Sequence, residues 1–174
     1  MNIRFDDQVA IVTGAGGGLG KEHALGLARR GAKVVVNDLG GGVDGGGASD
    51  AAKAVVDQII SEGGEAIANG ASVTDLQAVQ AMVQEAKEKW GRIDILVNNA
   101  GILRDKSFHK DTIESFNTVM DVHFQGTLNC THTVYPIMRE QEFGRIIFTS
   151  SSSGVFGNFG QANYGSAKMA MVGL

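Results

Sequence analysis

Tyr164 and Lys168 stand four residues apart in a stretch of helical period, Gln161–Leu174, so their side chains share one face. A tyrosine hydroxyl ordinarily ionises near pH 10. To exchange protons near neutrality its pKa must fall by roughly 3, about 4 kcal/mol of preference for the phenolate. An ammonium one turn away supplies part of that preference. Four hydroxyls, Ser150, Ser151, Ser152 and Ser153, come shortly before the pair, just past a strand-like run. One of them could hold a substrate oxygen, and spacing alone does not choose which.

A second constellation lies near the start, Thr13-Gly14-Ala15-Gly16-Gly17-Gly18-Leu19-Gly20, between a strand and a helix. A glycine-rich turn lets the backbone approach a ligand closely. The helix behind it offers unpaired N–H groups and a positive dipole end to a pyrophosphate. The pattern is not a P-loop, because Glu22 follows Lys21 and Ala15 stands where the first glycine is needed. Nor is it GxGxxG, because Leu19 occupies the last position. It fits TGxxxGxG through Thr13, Gly14, Gly18 and Gly20. Asp38 ends the second strand-like run, where a carboxylate accepts both hydroxyls of an adenosine ribose and repels a 2′-phosphate. No Arg or Lys lies between Gly14 and Gly20 to welcome one, so NAD is expected rather than NADP. The loop Gly40–Ser49 is either a plain flexible insertion or a segment that orders over the cofactor.

Elements of regular period must hold these groups. Gln8–Thr13, Lys33–Asp38, Glu65–Asn69, Ile93–Asn98 and Arg145–Thr149 read as buried parallel strands. Between them run helical stripes: Ala52 to Ile60, Leu76 to Trp90, and a longer one through Ile113, Phe116, Met120, Phe124, Thr127, Thr131, Val134 and Met138. Thr74-x-x-Gln77 and Asp111-x-x-Glu114 read as capping boxes, and Pro136 should kink or end its helix. Alternating strands and helices give a single α/β domain over 1–174, a Rossmann-type doubly wound parallel sheet in three αβα layers. Arg145–Thr149 has no later strand to pair with, and the chain stops in the apolar run MAMVGL. The expectation is a fold truncated after its fifth strand and the start of the next helix.

Composition closes off other classes. The 174 residues hold 25 Gly without collagen period, 43% hydrophobic and 20% charged residues, which argues against disorder. A net charge of −4 with no basic stripe argues against nucleic acid as a partner. No apolar run is long enough to span a membrane. MNIRFDDQ places two Asp where a signal peptide has its apolar core, and Cys130 is the only thiol, so a soluble protein of the reducing cytoplasm is expected. His23, His109 and His132 lack metal-ligand spacing, so no metal is expected. Asn129-Cys130-Thr131 matches a glycosylation sequon but falls inside a helical stripe.

Taken together, the TGxxxGxG turn, Asn98-Asn99-Ala100-Gly101, the serine cluster and Tyr164-x-x-x-Lys168 resemble the short-chain dehydrogenase/reductase family, in its motif order, across the whole chain. The strings NDLGG, NNAGILRDKSF and GNFGQANYGSAK are similar to its (3R)-hydroxyacyl-CoA dehydrogenase branch, found in peroxisomal multifunctional enzymes and bacterial relatives. The resemblance implies an oxidoreductase acting on a small alcohol or ketone, such as an acyl-CoA, with NAD as cofactor. Tyr164 is then the acid/base, Lys168 lowers its pKa and binds the nicotinamide ribose, and Ser151 orients substrate. Thr13, Gly14, Gly18, Leu19 and Gly20 surround the pyrophosphate, Asp38 the ribose, and Asn99, Ala100 and Gly101 the rest of the nucleotide. The family commonly has Asp where Ala71-Ser72-Val73 stands, so its bond to the adenine amine is either lost or replaced in part by Ser72, with Ser72 and Val73 still bordering the cofactor. His123 occupies the place of a family Asn that anchors a relay water, and serves either there or structurally. Arg104 and Asp105 either line the entrance or form a surface ion pair. The family pairs through the helices near Thr112–Arg139 and Gln161, which implies a homodimer or tetramer. An inactive NAD-binding fragment and a reductase of a steroid, sugar or polyol are the alternatives.

Overall fold

The computed structural model describes residues 3–40 and 50–174. The loop Gly40–Ser49, apart from Gly40, and the first two residues of MNIRFDDQ lie outside the described residues. The strands are β1 (Val9–Thr13), β2 (Lys33–Asn37), β3 (Glu65–Asn69), β4 (Ile95–Asn98) and β5 (Arg145–Phe148). All their pairings are parallel, in the order β3-β2-β1-β4-β5. β1 is central and buried throughout, which its unbroken run of apolar residues requires.

The helices are α1 (Gly18–Ala28), α2 (Ala51–Ser61), α3 (Leu76–Trp90), α4 (Ile113–Met120), α5 (Gly126–Glu140), α6 (Ser152–Phe156) and α7 (Ala162–Gly173). Alternate residues of the strands feed two apolar layers. Ala10, Val12, Val34, Val36 and Val97 pack on Ala24, Leu25, Val55 and Ile59 of α1 and α2. Val9, Ile11, Val35 and Leu96 pack on Val79, Met82, Val83, Cys130 and Val134 of α3 and α5. Helices on both faces of one parallel sheet make the expected three-layer, Rossmann-type α/β fold. Burial raises the Cys130 thiol to about 12, so it acts as an inert filler.

Several local expectations need correction. Asp75, not Thr74, caps α3, accepting from the Gln77 and Ala78 amides, because Thr74 Oγ1 is already bonded to Ser72 Oγ. Thr112, not Asp111, caps α4, accepting from the Ser115 amide. Pro136 does not end α5, which runs on to Glu140. Pro136 and His132, whose carbonyl loses its partner, are both exposed, so water can take up the freed group. A short π segment, Asp121–Gln125, joins α4 to α5. Ahead of it the long stripe is misplaced: Ser115 and Val119 are buried, while Ile113 is 78% exposed.

Candidate active site

The carboxyl ends of β1, β2, β4 and β5 converge on one edge of the sheet, where clefts open in folds of this kind. Thr13 organises it. Its Oγ1 accepts the Asn99 and Ala100 amides at 3.1 Å each and faces the Val97 carbonyl at 3.4 Å. The Asn99 side-chain amide donates to the Thr13 and Gly14 carbonyls at 3.0 Å each. The two turns, Thr13–Gly14 and Asn99–Gly101, are thus one hydrogen-bonded unit. Asn99 spends its amide hydrogens on the turn, a role that its sequence context did not reveal.

The glycine turn fits a dinucleotide. Gly14 and Gly18 have φ of +62° and +50°. A Cβ at Gly14 would lie 2.8 Å from Ala100 Cα, whereas Gly17 and Gly18 have nothing within 4 Å. The second pair leaves open space in front of the amino end of α1, where an anion is favoured. Leu19 is exposed and Gly20 buried under the turn. Asp38 Oδ2 accepts the Gly16 amide and Oδ1 the Gly40 amide, both at 2.7 Å. Two amides thus hold its carboxylate at the cleft. Gly14, Asp38, Ser72, Val73, Ala100, Gly101, Ile102 and Arg104 line the same cleft. Ser72 Oγ is bonded to Thr74 Oγ1, and the Val73 carbonyl accepts from Asn129.

α7 carries the Tyr–Lys pair. Lys168 is 4% exposed, its Nζ donates to the Thr149 carbonyl at 2.5 Å, and it lies 5.5 Å from the Tyr164 ring centre. Burial pushes its ammonium down to about 8. Ser150 Oγ donates to the Lys168 carbonyl, tying the end of β5 to α7. Ser151 caps α6, its Oγ accepting the Ser153 amide at 3.2 Å. Ser153 is spent on Gln161. α6 reaches α7 through two glycines: a Cβ at Gly154 would meet Met169 N at 2.9 Å, and one at Gly165 would meet Ser153 O at 2.8 Å. This close crossing positions Ser151 relative to Tyr164 and Lys168. The five-residue α6 is too short to carry a periodic signal.

His123 lies in the π segment, 3% exposed, its ring edge-on to Tyr164. Its Nε2 is 2.8 Å from the Ile102 carbonyl and 3.1 Å from the Ile102 amide. A neutral ring nitrogen either donates or accepts, and the shorter contact assigns the proton to Nε2, donating to the carbonyl. Nδ1 is then a buried acceptor without a partner. Burial pushes the ring's pKa down to about 4.

Residues missed from sequence complete the site. Asn163 is buried beside Tyr164, accepts the Tyr164 amide at 2.6 Å, and donates to the Arg104 carbonyl and Asp111 Oδ2 at 2.9 Å each. Gln161 donates to Asp105 at 2.8 Å. Asp105 therefore serves α7, and the Arg104–Asp105 ion pair is not formed. The signal was present in the amides flanking YxxxK, but only distance in space gives it meaning. Among the described residues no group of three His, Cys, Asp or Glu could hold a metal, and no helix is long and apolar enough to cross a membrane.

Known proteins resemble the chain in sequence and in fold. Peroxisomal multifunctional enzyme type 2 of Drosophila melanogaster is 56% identical over 173 residues, 99% of this chain and 28% of that protein. The 3-oxoacyl-[acyl-carrier-protein] reductase of Synechocystis is 45% identical over 167 residues, 96% of this chain and 65% of that one. Among solved structures, 7α-hydroxysteroid dehydrogenase complexed with NADH and 7-oxo glycochenodeoxycholic acid superposes with a TM-score of 0.87 at 35% identity, covering 96% of this chain and 62% of the other. The chain thus spans only part of the length of these relatives. Residues 8–174 match the family described as short chain dehydrogenase, and with the sheet order, the glycine turn and the Tyr–Lys pair this makes the chain a member of the short-chain dehydrogenase/reductase family.

Proposed function

We propose that the protein is an NAD-dependent oxidoreductase acting on a secondary alcohol or ketone, most plainly a 3-hydroxyacyl thioester of coenzyme A. The observation that carries this reading is the buried Lys168 ammonium 5.5 Å from the Tyr164 ring. In the oxidising direction Ser151 holds the substrate oxygen. Tyr164, as phenolate, accepts the hydroxyl proton while the carbinol hydrogen departs with its electron pair. Bound nicotinamide supplies the acceptor for that hydride. Lys168 favours the phenolate by its charge. The unpartnered His123 Nδ1 supports an acceptor role toward a water that carries the proton onward.

Gly14, Gly18 and Gly20 would hold the pyrophosphate at the amino end of α1, and Asp38 the adenosine ribose. The carboxylate at the ribose end favours NAD over NADP. Ser72, Val73, Asn99, Ala100 and Gly101 would border the nucleotide. The thioester is supported by the NNAGILRDKSF and GNFGQANYGSAK strings and by the named activity of the Synechocystis relative. Exposed Ile113, Tyr135, Met169 and Val172 on α4, α5 and α7 support a homodimer or tetramer through those helices. The lone buried thiol suits a reducing cytoplasm. The test is Tyr164→Phe, expected to keep NADH binding by fluorescence while turnover of a 3-hydroxyacyl-CoA falls at least a hundredfold, on the order expected for a lost acid/base. Retained turnover refutes the mechanism.

A further inference from the structure

We propose that the loop at residues 103–110 is a carrier subsite, which takes the phosphorylated nucleotide end of a coenzyme A thioester. The proposal rests on the thioester reading above and assigns that substrate's recognition to residues outside the catalytic set. Arg104, Lys106 and Lys110 are exposed, and none lies within ion-pair distance of a carboxylate among the described residues. With Asp105 and Asp111 counted, residues 104–111 still carry one more positive than negative charge in a chain of net charge −4. The two carboxylates of the same stretch form no ion pair with them: Asp105 accepts from Gln161, and Asp111 accepts from Asn163 through Oδ2.

Phe108 sits between Lys106 and Lys110 in a single 3-10 turn, Phe108–Lys110, and is 76% exposed. A bare aromatic ring with a lysine two residues before it and another two residues after it in the chain suits a phosphorylated purine. The ring offers a stacking surface, and the ammoniums offer charge-assisted bonds to phosphate. The loop is also fixed relative to the catalytic helix. Asn163 holds the Arg104 carbonyl and the Tyr164 amide together, and the Lys106 amide donates to the Gly160 carbonyl at 2.9 Å. A carrier gripped by its nucleotide must deliver its thioester to Tyr164, and a floating loop could not set that distance. Arg104 also borders the cofactor cleft, so the test leaves it untouched.

The test compares 3-hydroxyacyl thioesters of coenzyme A, dephospho-coenzyme A and N-acetylcysteamine at saturating NAD. Wild type is set beside Lys106→Ala/Lys110→Ala and Phe108→Ala, with folding checked by circular dichroism. The expected result is a KM that rises in that order of thioesters. The double variant should raise KM for the coenzyme A thioester roughly tenfold at unchanged kcat and leave the N-acetylcysteamine thioester as it was. Added salt should narrow the wild-type preference. Equal KM for all three thioesters, or a coenzyme A preference that survives the double variant, overturns the subsite. A greater loss on the thioester of an acidic carrier protein overturns it in favour of a protein partner. If no thioester turns over although NADH binds, the thioester reading fails, and dialysis of coenzyme A against NAD-saturated protein decides the subsite. Binding that is lost in the double variant supports the subsite, and no binding overturns it.

Discussion

The His123 ring meets the Tyr164 ring edge-on, with centroids 5.3 Å apart and planes at 88°. The same imidazole bonds the Ile102 backbone and covers Gly101, where a Cβ would lie 2.9 Å from Nδ1. One side chain therefore fixes the loop after β4 against the ring that is read as the acid/base.

Replacing His123 should reveal that role. His123→Ala leaves a cavity and strips the Ile102 carbonyl of its donor, costing about 3 kcal/mol in urea unfolding. His123→Asn restores a donor and an acceptor and should recover more than half of that. The pH dependence has a defined sign. The folded ring titrates at about 4, below its ordinary 6.5, so the unfolded chain takes the proton first as pH falls. The stabilisation is whole above pH 6.5, declines through the window, and is gone below about 4. The Asn variant should lack that decline, and unfolding curves at pH 4 to 7 will show it.

Lys168 predicts the opposite end of the scale. Its folded pKa of about 8 lies below the ordinary 10.5, so the unfolded chain binds the extra proton between those values. Stability should rise with pH from 8 to 10.5. Lys168→Met should abolish the rise, and with it turnover. An unchanged pH–stability curve in that variant would assign the rise to other groups.

Gly14 and Gly18 share a left-handed φ but not a neighbourhood. Gly14→Ala should unfold the protein by several kcal/mol, through backbone strain of about 1–2 kcal/mol plus the collision with Ala100. Gly18→Ala should cost about 1 kcal/mol yet weaken NADH binding at least tenfold, on the order of one lost close approach. Thermal melts and NADH titrations separate the two.

Asp38→Ser tests the choice of cofactor. The variant removes the ribose acceptor and the 2′-phosphate repulsion, so NADH should bind about tenfold more weakly and NADPH more tightly. A ratio of the two affinities that stays at the wild-type value would refute the assignment.

Much of the frame is legible in the amino-acid sequence. Val34–Val36 and Ile95–Val97 are apolar runs that only a strand covered on both faces needs, and all five runs became neighbours in one sheet. The place of the glycine turn, between β1 and α1, was also readable, since a run of glycines after a strand leaves the chain free to turn into the helix. Asn163 was not. It is an ordinary polar residue until the chain folds and brings it to Arg104 and Asp111, 59 and 52 residues away. The caps of α3 and α4 fall one residue later than expected. Asp111 can cap, but its carboxylate is taken by Asn163, 52 residues on, and Thr74 is bonded to its near neighbour Ser72.

The π segment has a bearing on how the long helix can be altered. Ser115, Val119, His123 and Thr127 are buried at intervals of four. In a straight α-helix each such step overshoots a full turn by about 40°, so the last of them would have rotated away from α7, against which Val119 and Thr127 pack. The wider turns of the π segment absorb the excess and keep both halves in phase with the core. Length here is therefore a coded quantity: deleting one residue between Asp121 and Gln125 would leave an uninterrupted α-helix and swing His123 off Ile102, while nearly every contact of α5 survived.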